Sequence, residues 1–174
     1  MSFARVRALA VLAVLVVIAG VFVVVALVRD TQGTVAAGGC PDGFVPANLR
    51  LPETREIKIN VYNGSGRDGV AGSVSEDFKN RSLQVLKQGN SKKAVDGVAV
   101  LRYGPKAVGA AHVMRSFFLN EAKLEFDLKR ADDVVDVTIG KDFQQLATPT
   151  EFAQSVSALQ NPTLPNGTCD SGIH

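Results

Sequence analysis

A glycine-rich run that could do chemistry lies between an alternating apolar segment and a segment with helical periodicity. It consists of Asn63, Gly64, Ser65, Gly66, Arg67, Asp68 and Gly69. Its glycines match the G-x-G-x-x-G spacing, at which a strand-to-helix turn exposes backbone N–H groups to a pyrophosphate. A dinucleotide site also needs a carboxylate at the end of the next strand, and residues 83–88 contain none. We therefore predict no nicotinamide or flavin cofactor.

Two interpretations of this run stay open. In the functional one, N–H groups at the start of the following helix receive an anionic group such as phosphate or carboxylate, and Arg67 adds a positive charge. In the structural one, Asn63 and the glycines form a tight turn with positive φ, and Asp68 caps the helix.

No other residue set matches a known catalytic or metal-binding pattern. Ser65 lacks the G-x-S-x-G context of a nucleophile elbow, because Asn63 stands where the first glycine should be. His112 and His174 are not at ligand spacing, and the aspartates near residue 133 lack the spacing of a calcium loop. We predict no catalytic residue, no metal and no enzymatic activity.

Hydrophobic periodicity predicts the elements that must position these residues. The predicted fold is α+β with the order β-α-β-β-α-β, a ferredoxin-like (split βαβ) arrangement in which two helices pack on one face of an antiparallel-type sheet. A short helix over 150–159 and a tail follow. The predicted strands are 57–61, 83–87, 98–103 and one or more within 124–139, and the predicted helices are 70–81 and 105–118.

The N-terminal part predicts a membrane anchor. Residues 8–28 carry no charge and are long enough to span a bilayer. Arg5 and Arg7 precede them, so residues 1–7 are expected in the cytoplasm and everything after Val28 outside it. Residues 29–55 are predicted to be a linker. A cleaved signal peptide, or a lipoprotein signal ending at Cys40, is the alternative.

The charge distribution argues against nucleic acid as a partner. Three of the 19 basic residues flank the apolar segment, which leaves 16 basic against 17 acidic groups in the exported part. That part carries no basic stripe interleaved with aromatic residues. Cys40 and Cys169 stand at its two ends, so an oxidising exterior favours a disulfide between them, the alternative being two free thiols.

Three sequence blocks resemble the LytR C-terminal domain family, over residues 56–146. They are 61–71, with Asn63-Gly64-Ser65-Gly66, then Arg102-Tyr103-Gly104, and 131–143 with its G-x-D-F ending. The chain resembles the free-standing, membrane-anchored actinobacterial members, such as the VirR-type envelope-integrity and virulence proteins. Residues 147–174 then form a C-terminal helix and tail.

The resemblance implies a binding role rather than a reaction. It implies an exported domain that binds peptidoglycan or a cell-wall glycopolymer, or that scaffolds LytR-CpsA-Psr-type ligases. Self-association into a homo-oligomer is a further expectation. Candidate ligand-binding residues are Asn63, Gly64, Ser65, Gly66, Arg67, Gly69, Arg102 and Tyr103. The alternatives are an accessory cell-wall hydrolase or transferase that uses the glycine-rich turn as an anion cradle, and a purely structural membrane spacer.

Overall fold

A computed structural model of the chain describes residues 19–20, which are helical, and residues 40–172. Among these residues there is no helix that is both long and apolar enough to cross a membrane. The predicted span of residues 8–28 lies, except for its positions 19 and 20, outside the described residues. Residues 40–172 form one compact unit.

Residues 40–172 contain seven strands, three α-helices and two short 3₁₀ turns at Thr54–Glu56 and Pro105–Ala107. The strands are β1 Val45–Ala47, β2 Lys58–Asn63, β3 Gln84–Asn90, β4 Ala99–Tyr103, β5 Lys123–Phe126, β6 Val134–Ile139 and β7 Thr168–Asp170. The helices are α1 Val70–Asn80, α2 Val108–Ser116 and α3 Pro149–Ser157.

Five of the strands form one sheet in the order β3-β2-β6-β4-β5. Strand β2 pairs in parallel with β3 and with β6, and β4 pairs in parallel with β5. Strands β4 and β6 are antiparallel. The sheet therefore consists of two β-α-β units, β2-α1-β3 and β4-α2-β5, joined through the last strand, β6.

The two helices that connect paired strands lie on the same face of the sheet. Crossovers between parallel strands are almost always right-handed, and for this strand order that rule places both helices on one side. Aromatic contacts agree, because the Phe78 ring of α1 lies edge-on to Phe117 and Phe118 at the end of α2, with centroids 5.4 and 6.3 Å apart.

The α+β class is confirmed, but the ferredoxin-like arrangement is wrong. That arrangement inserts a strand between the two strands of each β-α-β unit, whereas here β2 and β3, and likewise β4 and β5, are direct neighbours. The sheet is mixed and mostly parallel, and the segment predicted to hold one or more strands, residues 124–139, holds β6 and most of β5. Alternating hydrophobicity determines the buried face of a strand but not its neighbour, which depends on contacts distant in sequence.

The core lies between the helices and one face of the sheet. Strands β2, β4 and β6 place every second side chain there, and the centre is fully buried. Its sheet residues are Ile59, Val61, Leu101, Val135, Val137 and Ile139. Helix α3 extends this layer through Phe152, whose ring stacks on Phe117 with centroids 4.0 Å apart. Among residues 40–172, no helix lies on the opposite face of the sheet.

Strands β1 and β7 form a separate two-stranded parallel sheet, closed by the disulfide between Cys40 and Cys169. The predicted disulfide is thus confirmed. Ala47 of β1 is fully buried, and the carbonyl of Pro105 accepts a hydrogen bond from the Asn48 N–H at 2.9 Å. Residues 40–55, which the sequence assigns to a linker, therefore pack with the domain. Strand β1 was not predicted because three residues are too few to show periodicity.

Candidate functional site

The glycine-rich turn between β2 and α1 is held by its own side chains. Ser65 donates twice to Asn63 Oδ1, from its N–H at 3.1 Å and from its hydroxyl at 2.7 Å. The side-chain amide of Asn63 donates to the carbonyl of Arg67 at 2.6 Å. Gly66 and Gly69 have φ of +77° and +78°, which glycine adopts without strain. Gly69, not the expected Asp68, is the N-cap of α1.

Arg67 connects this turn to the segment that follows β6. One terminal nitrogen of its guanidinium donates to the Phe143 carbonyl at 2.5 Å. The Phe143 ring in turn lies edge-on to Phe118, with centroids 6.1 Å apart. Part of the hydrogen-bonding capacity of Arg67 is therefore used to fix the segment that follows β6.

Gly64 allows three backbone segments to meet. Its N–H donates to the Ile139 carbonyl at 2.9 Å, and its carbonyl accepts from the Val95 N–H at 2.9 Å. A Cβ atom at position 64 would lie 2.9 Å from Thr138 Cγ2 and 3.0 Å from the Ile139 oxygen. Close packing is thus a sufficient reason for this glycine, and it brings residues 91–97, here called the 91–97 loop, against the ends of β2 and β6.

The 91–97 loop is tied down at both ends. Its first residue, Ser91, donates from its N–H to the Asn63 carbonyl at 2.8 Å. At the other end, the Lys141 N–H donates to the Val95 carbonyl at 2.9 Å, and Lys141 Nζ lies 2.8 Å from Asp96 Oδ1. Two residues outside the loop, Asn63 at the end of β2 and Lys141 after β6, thus hold the loop in one place.

Arg102 and Tyr103 lie on opposite faces of β4, because neighbouring side chains of a strand alternate. Arg102 projects from the uncovered face, where its side chain is 60% exposed and its Nη2 atom lies 3.2 Å from Glu125 Oε2. Tyr103 is only 5% exposed and packs in the core against Phe126. The eight predicted ligand-binding residues therefore do not form a single site.

A cavity of about 570 Å³ lies on the uncovered face of the sheet, between the strands and the 91–97 loop; we call it the open-face cavity. Residues 90–95 form its wall. Its floor is built by side chains of four strands: Tyr62, Val100, Arg102, Glu125, Asp136 and Thr138. Of the predicted site residues, Arg102 alone lines this cavity.

The carboxylate of Asp136 on the cavity floor forms an ion pair with Arg130. The guanidinium of Arg130 donates to both oxygens of Asp136, at 2.6 and 3.1 Å, and also to Asp132 at 2.8 Å. These hydrogen bonds, with that to Asp136 the strongest cause, raise the pKa of Arg130 despite its burial. Burial would raise the pKa of Asp132, but hydrogen bonds from Arg130 and Val134 outweigh it and lower that pKa.

The other charges of the cavity are unequally compensated. Glu125 accepts from Lys123 and Arg102, and these bonds, Lys123 first, lower its pKa although burial opposes them. Among residues 40–172, neither Lys92 nor Lys93 has a carboxylate within ion-pair distance, and both are exposed. The cavity therefore presents two uncompensated cations on its wall.

The described residues hold no arrangement that resembles a catalytic or metal centre. The hydroxyl of Ser65 donates to an amide oxygen, not to a base. His112 lies within α2, where burial, and to a lesser extent Arg115, lower its pKa; His174 lies outside the described residues. No three His, Cys, Asp or Glu side chains in that part of the chain are grouped closely enough to hold a metal.

Sequence reasoning missed the open-face cavity. Tyr62, Asp136 and Thr138 alternate with the core residues of β2 and β6. Tyr62 lies opposite Thr138 in the register, and Asp136 is two positions before Thr138, so all three share one surface. The signal was present as polar residues of period two on strands whose other face is apolar. These residues can be recognised as one site only when the strand order is known, because β2 and β6 are distant in sequence.

The fold is that of a small α+β domain whose two-stranded sheet is closed by a disulfide. The family described as LytR cell envelope-related transcriptional attenuator matches residues 56–143, half of the chain, and the chain belongs to that family. The predicted family is thus confirmed. Membership indicates a function related to the cell envelope.

A solved structure supports this assignment. The domain is similar to the soluble domain of a conserved hypothetical secreted protein, an Rv2700 ortholog, from Mycobacterium marinum. The two are 28% identical, with a TM-score of 0.53, over 70% of this chain and 83% of that one. No significant match was found among curated proteins.

Proposed function

We propose that this chain is a non-enzymatic cell-envelope protein whose domain binds peptidoglycan or a cell-wall glycopolymer, and so supports the LytR-CpsA-Psr-type ligases that attach such polymers. The observation that carries the proposal is the uncovered sheet face with its polar, preformed cavity. A cavity lined by Tyr, Arg, Asp and Thr side chains offers an aromatic ring and several hydrogen-bonding groups to a polar ligand.

The proposal includes a location outside the cytoplasm, with residues 8–28 as a single-pass anchor and residues 1–7 inside the cell. Two observations support an exported domain. The disulfide between Cys40 and Cys169 fits an oxidising compartment, and the similar protein from Mycobacterium marinum is a secreted one. Cysteine accessibility in intact cells, tested with a membrane-impermeant reagent on single cysteines at positions 2 and 153, would check the orientation.

Co-sedimentation tests the binding function. Full-length protein, purified in mild detergent, is mixed with purified sacculi, and the pelleted fraction is measured with and without soluble muropeptides as competitors. In parallel, the protein is used to capture ligases from membrane extract. We expect saturable pelleting that the muropeptides reduce. Pelleting no greater than that of the heat-unfolded, reduced protein, together with no ligase captured, would overturn the proposal.

A further inference from the structure

We propose that the open-face cavity is a binding site for an anionic saccharide, with a sugar ring against Tyr62 and a phosphate or carboxylate group at Lys92 and Lys93. This inference rests on the proposed function and names its ligand class and its site. It moves the site away from the glycine-rich turn, since Gly64, Ser65 and Arg67 are accounted for by local packing and hydrogen bonds.

Tyr62 offers an aromatic surface because its neighbour on β3 is a glycine. In the pairing of β2 with β3, Tyr62 is opposite Gly89. A Cβ atom at Gly89 would lie 3.9 Å from Tyr62 Cδ1, an ordinary contact, and the φ of Gly89 is not positive. Neither space nor backbone thus requires glycine here. Its missing side chain leaves the half-buried Tyr62 ring without a side-chain neighbour at this position of β3, which fits a strand glycine at a place of close ligand approach.

The floor around Tyr62 supplies hydrogen-bonding groups for hydroxyls. Asp136 accepts one hydrogen bond at Oδ2, from Arg130, so this oxygen retains a free acceptor site. Arg102 donates to Glu125 through one terminal nitrogen and has further N–H groups. The Tyr62 phenol stays protonated, because burial and then Asp136 raise its pKa. Acceptors, donors and an aromatic ring in one cavity match the alternating surfaces of a sugar.

The charge of the cavity selects an anionic ligand. Asp136 shares the cation of Arg130 with Asp132, whereas Glu125 pairs with two cations, Arg102 and Lys123. Lys92 and Lys93 remain on the wall with no carboxylate partner among the described residues. An incoming phosphate or carboxylate would thus gain two attractive charges, and both carboxylates of the cavity floor already accept hydrogen bonds from a cation.

The wall that carries the lysines is fixed before any ligand arrives. The hydroxyl of Ser91 accepts from the Lys93 N–H at 3.3 Å and donates to the Lys93 carbonyl at 2.8 Å, which fixes the turn that bears both lysines. A preformed wall lowers the entropic cost of binding.

Isothermal titration of the full-length protein with three probes tests this inference. The probes are N-acetylglucosamine 1-phosphate for phosphate, a disaccharide muropeptide for carboxylate, and chitotriose as the neutral sugar. We expect the charged probes to bind, and the Lys92→Gln/Lys93→Gln variant to weaken them about fivefold to tenfold while leaving chitotriose unchanged. The probe that binds more tightly identifies the source of the anion.

The matched control is Lys106→Gln/Lys129→Gln, which removes the same charge from two exposed lysines outside the cavity. Equal affinity of the two double variants for the charged probes would overturn the charge argument. A second variant, Gly89→Leu, should cover Tyr62 and weaken all three probes at unchanged melting temperature. Full binding by a folded Gly89→Leu protein would overturn the site.

The failure of this inference is distinguishable from that of the proposed function. If the cavity variants bind sacculi as tightly as the unchanged protein, the domain binds wall polymer elsewhere, and the open-face cavity is not the site. If the unchanged protein neither pellets with sacculi nor captures a ligase, the proposed function fails regardless of the variants.

Discussion

Arg130 is the residue on which the polar face of the sheet depends most. Its side chain is only 12% exposed and bridges Asp132 and Asp136. Asp136 also accepts from the side-chain amide of Asn60 at 2.7 Å, so one guanidinium supports a network that spans β2 and β6. Without it, a half-buried carboxylate on the central strand would lose its counter-charge.

We predict that Arg130→Met lowers the free energy of unfolding by about 1–3 kcal/mol, because charge-assisted hydrogen bonds are lost and Asp136 stays partly buried. Urea unfolding followed by circular dichroism measures this. Lys58→Met is the control, since it removes an exposed pair with Asp133, worth less than about 1 kcal/mol. Equal losses in the two variants would contradict the account of Arg130.

We predict a loss of stability in acid that depends on this network. The pKa values of Asp132, which is in this network, and of Glu125, which pairs with Lys123 and Arg102 outside it, are lowered in the folded protein. Their contributions are complete above the ordinary values of 3.8 and 4.5 and are lost as the pH falls below them. The melting temperature should therefore decrease as the pH is lowered below about 4.5. In Arg130→Met this decrease in melting temperature should be smaller. If the variant shows the same decrease as the unchanged protein, Arg130 is not the cause of the acid sensitivity.

Two glycines should respond in opposite directions to alanine. Gly64→Ala should destabilise by about 1–3 kcal/mol, because the new methyl group meets Thr138 and the Ile139 carbonyl. Gly72→Ala, inside α1 with its nearest neighbour 4.0 Å away, should stabilise by up to about 1 kcal/mol. Thermal and urea unfolding of the pair checks the sign; stabilisation by Gly64→Ala would show that this close approach is not a constraint.

At the scale of elements, β1 and β7 are the least supported part of the described fold. They pair over three residues, and the disulfide closes a loop with a sequence separation of 129. The strands of the main sheet, in contrast, are covered on one face by α1 and α2. The small sheet therefore relies on a covalent bond, and the main sheet on burial.

We predict that the double variant Cys40→Ser/Cys169→Ser loses up to about 5 kcal/mol by the chain-entropy relation. In hydrogen exchange followed by mass spectrometry, peptides covering β1 and β7 should lose protection first, with β2 and β6 still protected. Simultaneous loss over all four strands would contradict this order and show that the disulfide supports the main sheet.

The elements also show what the sequence can reveal. Helix α1 was predictable almost to the residue, because its apolar positions recur with helical spacing and a glycine turn precedes it. Strand β3 continues to Asn90, past the predicted end at residue 87, because an edge strand needs few apolar side chains. The neighbours of β2 and β4 were not predictable, because pairing depends on how α1 and α2 return the chain.

At the scale of the whole molecule, family, class and disulfide followed from the sequence, whereas the candidate site did not. The glycine-rich turn has a motif of seven consecutive residues, so its pattern is visible in the sequence. The open-face cavity draws side chains from four strands and one loop, and these come together only in the folded sheet. The envelope function then depends on whether this surface meets the wall.

Photo-crosslinking in intact cells tests that claim most directly. A diazirine-bearing residue is placed at Ala94, exposed on the cavity wall, or at Ala153, exposed on α3, as the control. We predict adducts from position 94 that muramidase digestion shortens, and few or none from position 153. Equal adducts from both positions, or no glycan adduct from position 94, would contradict the account.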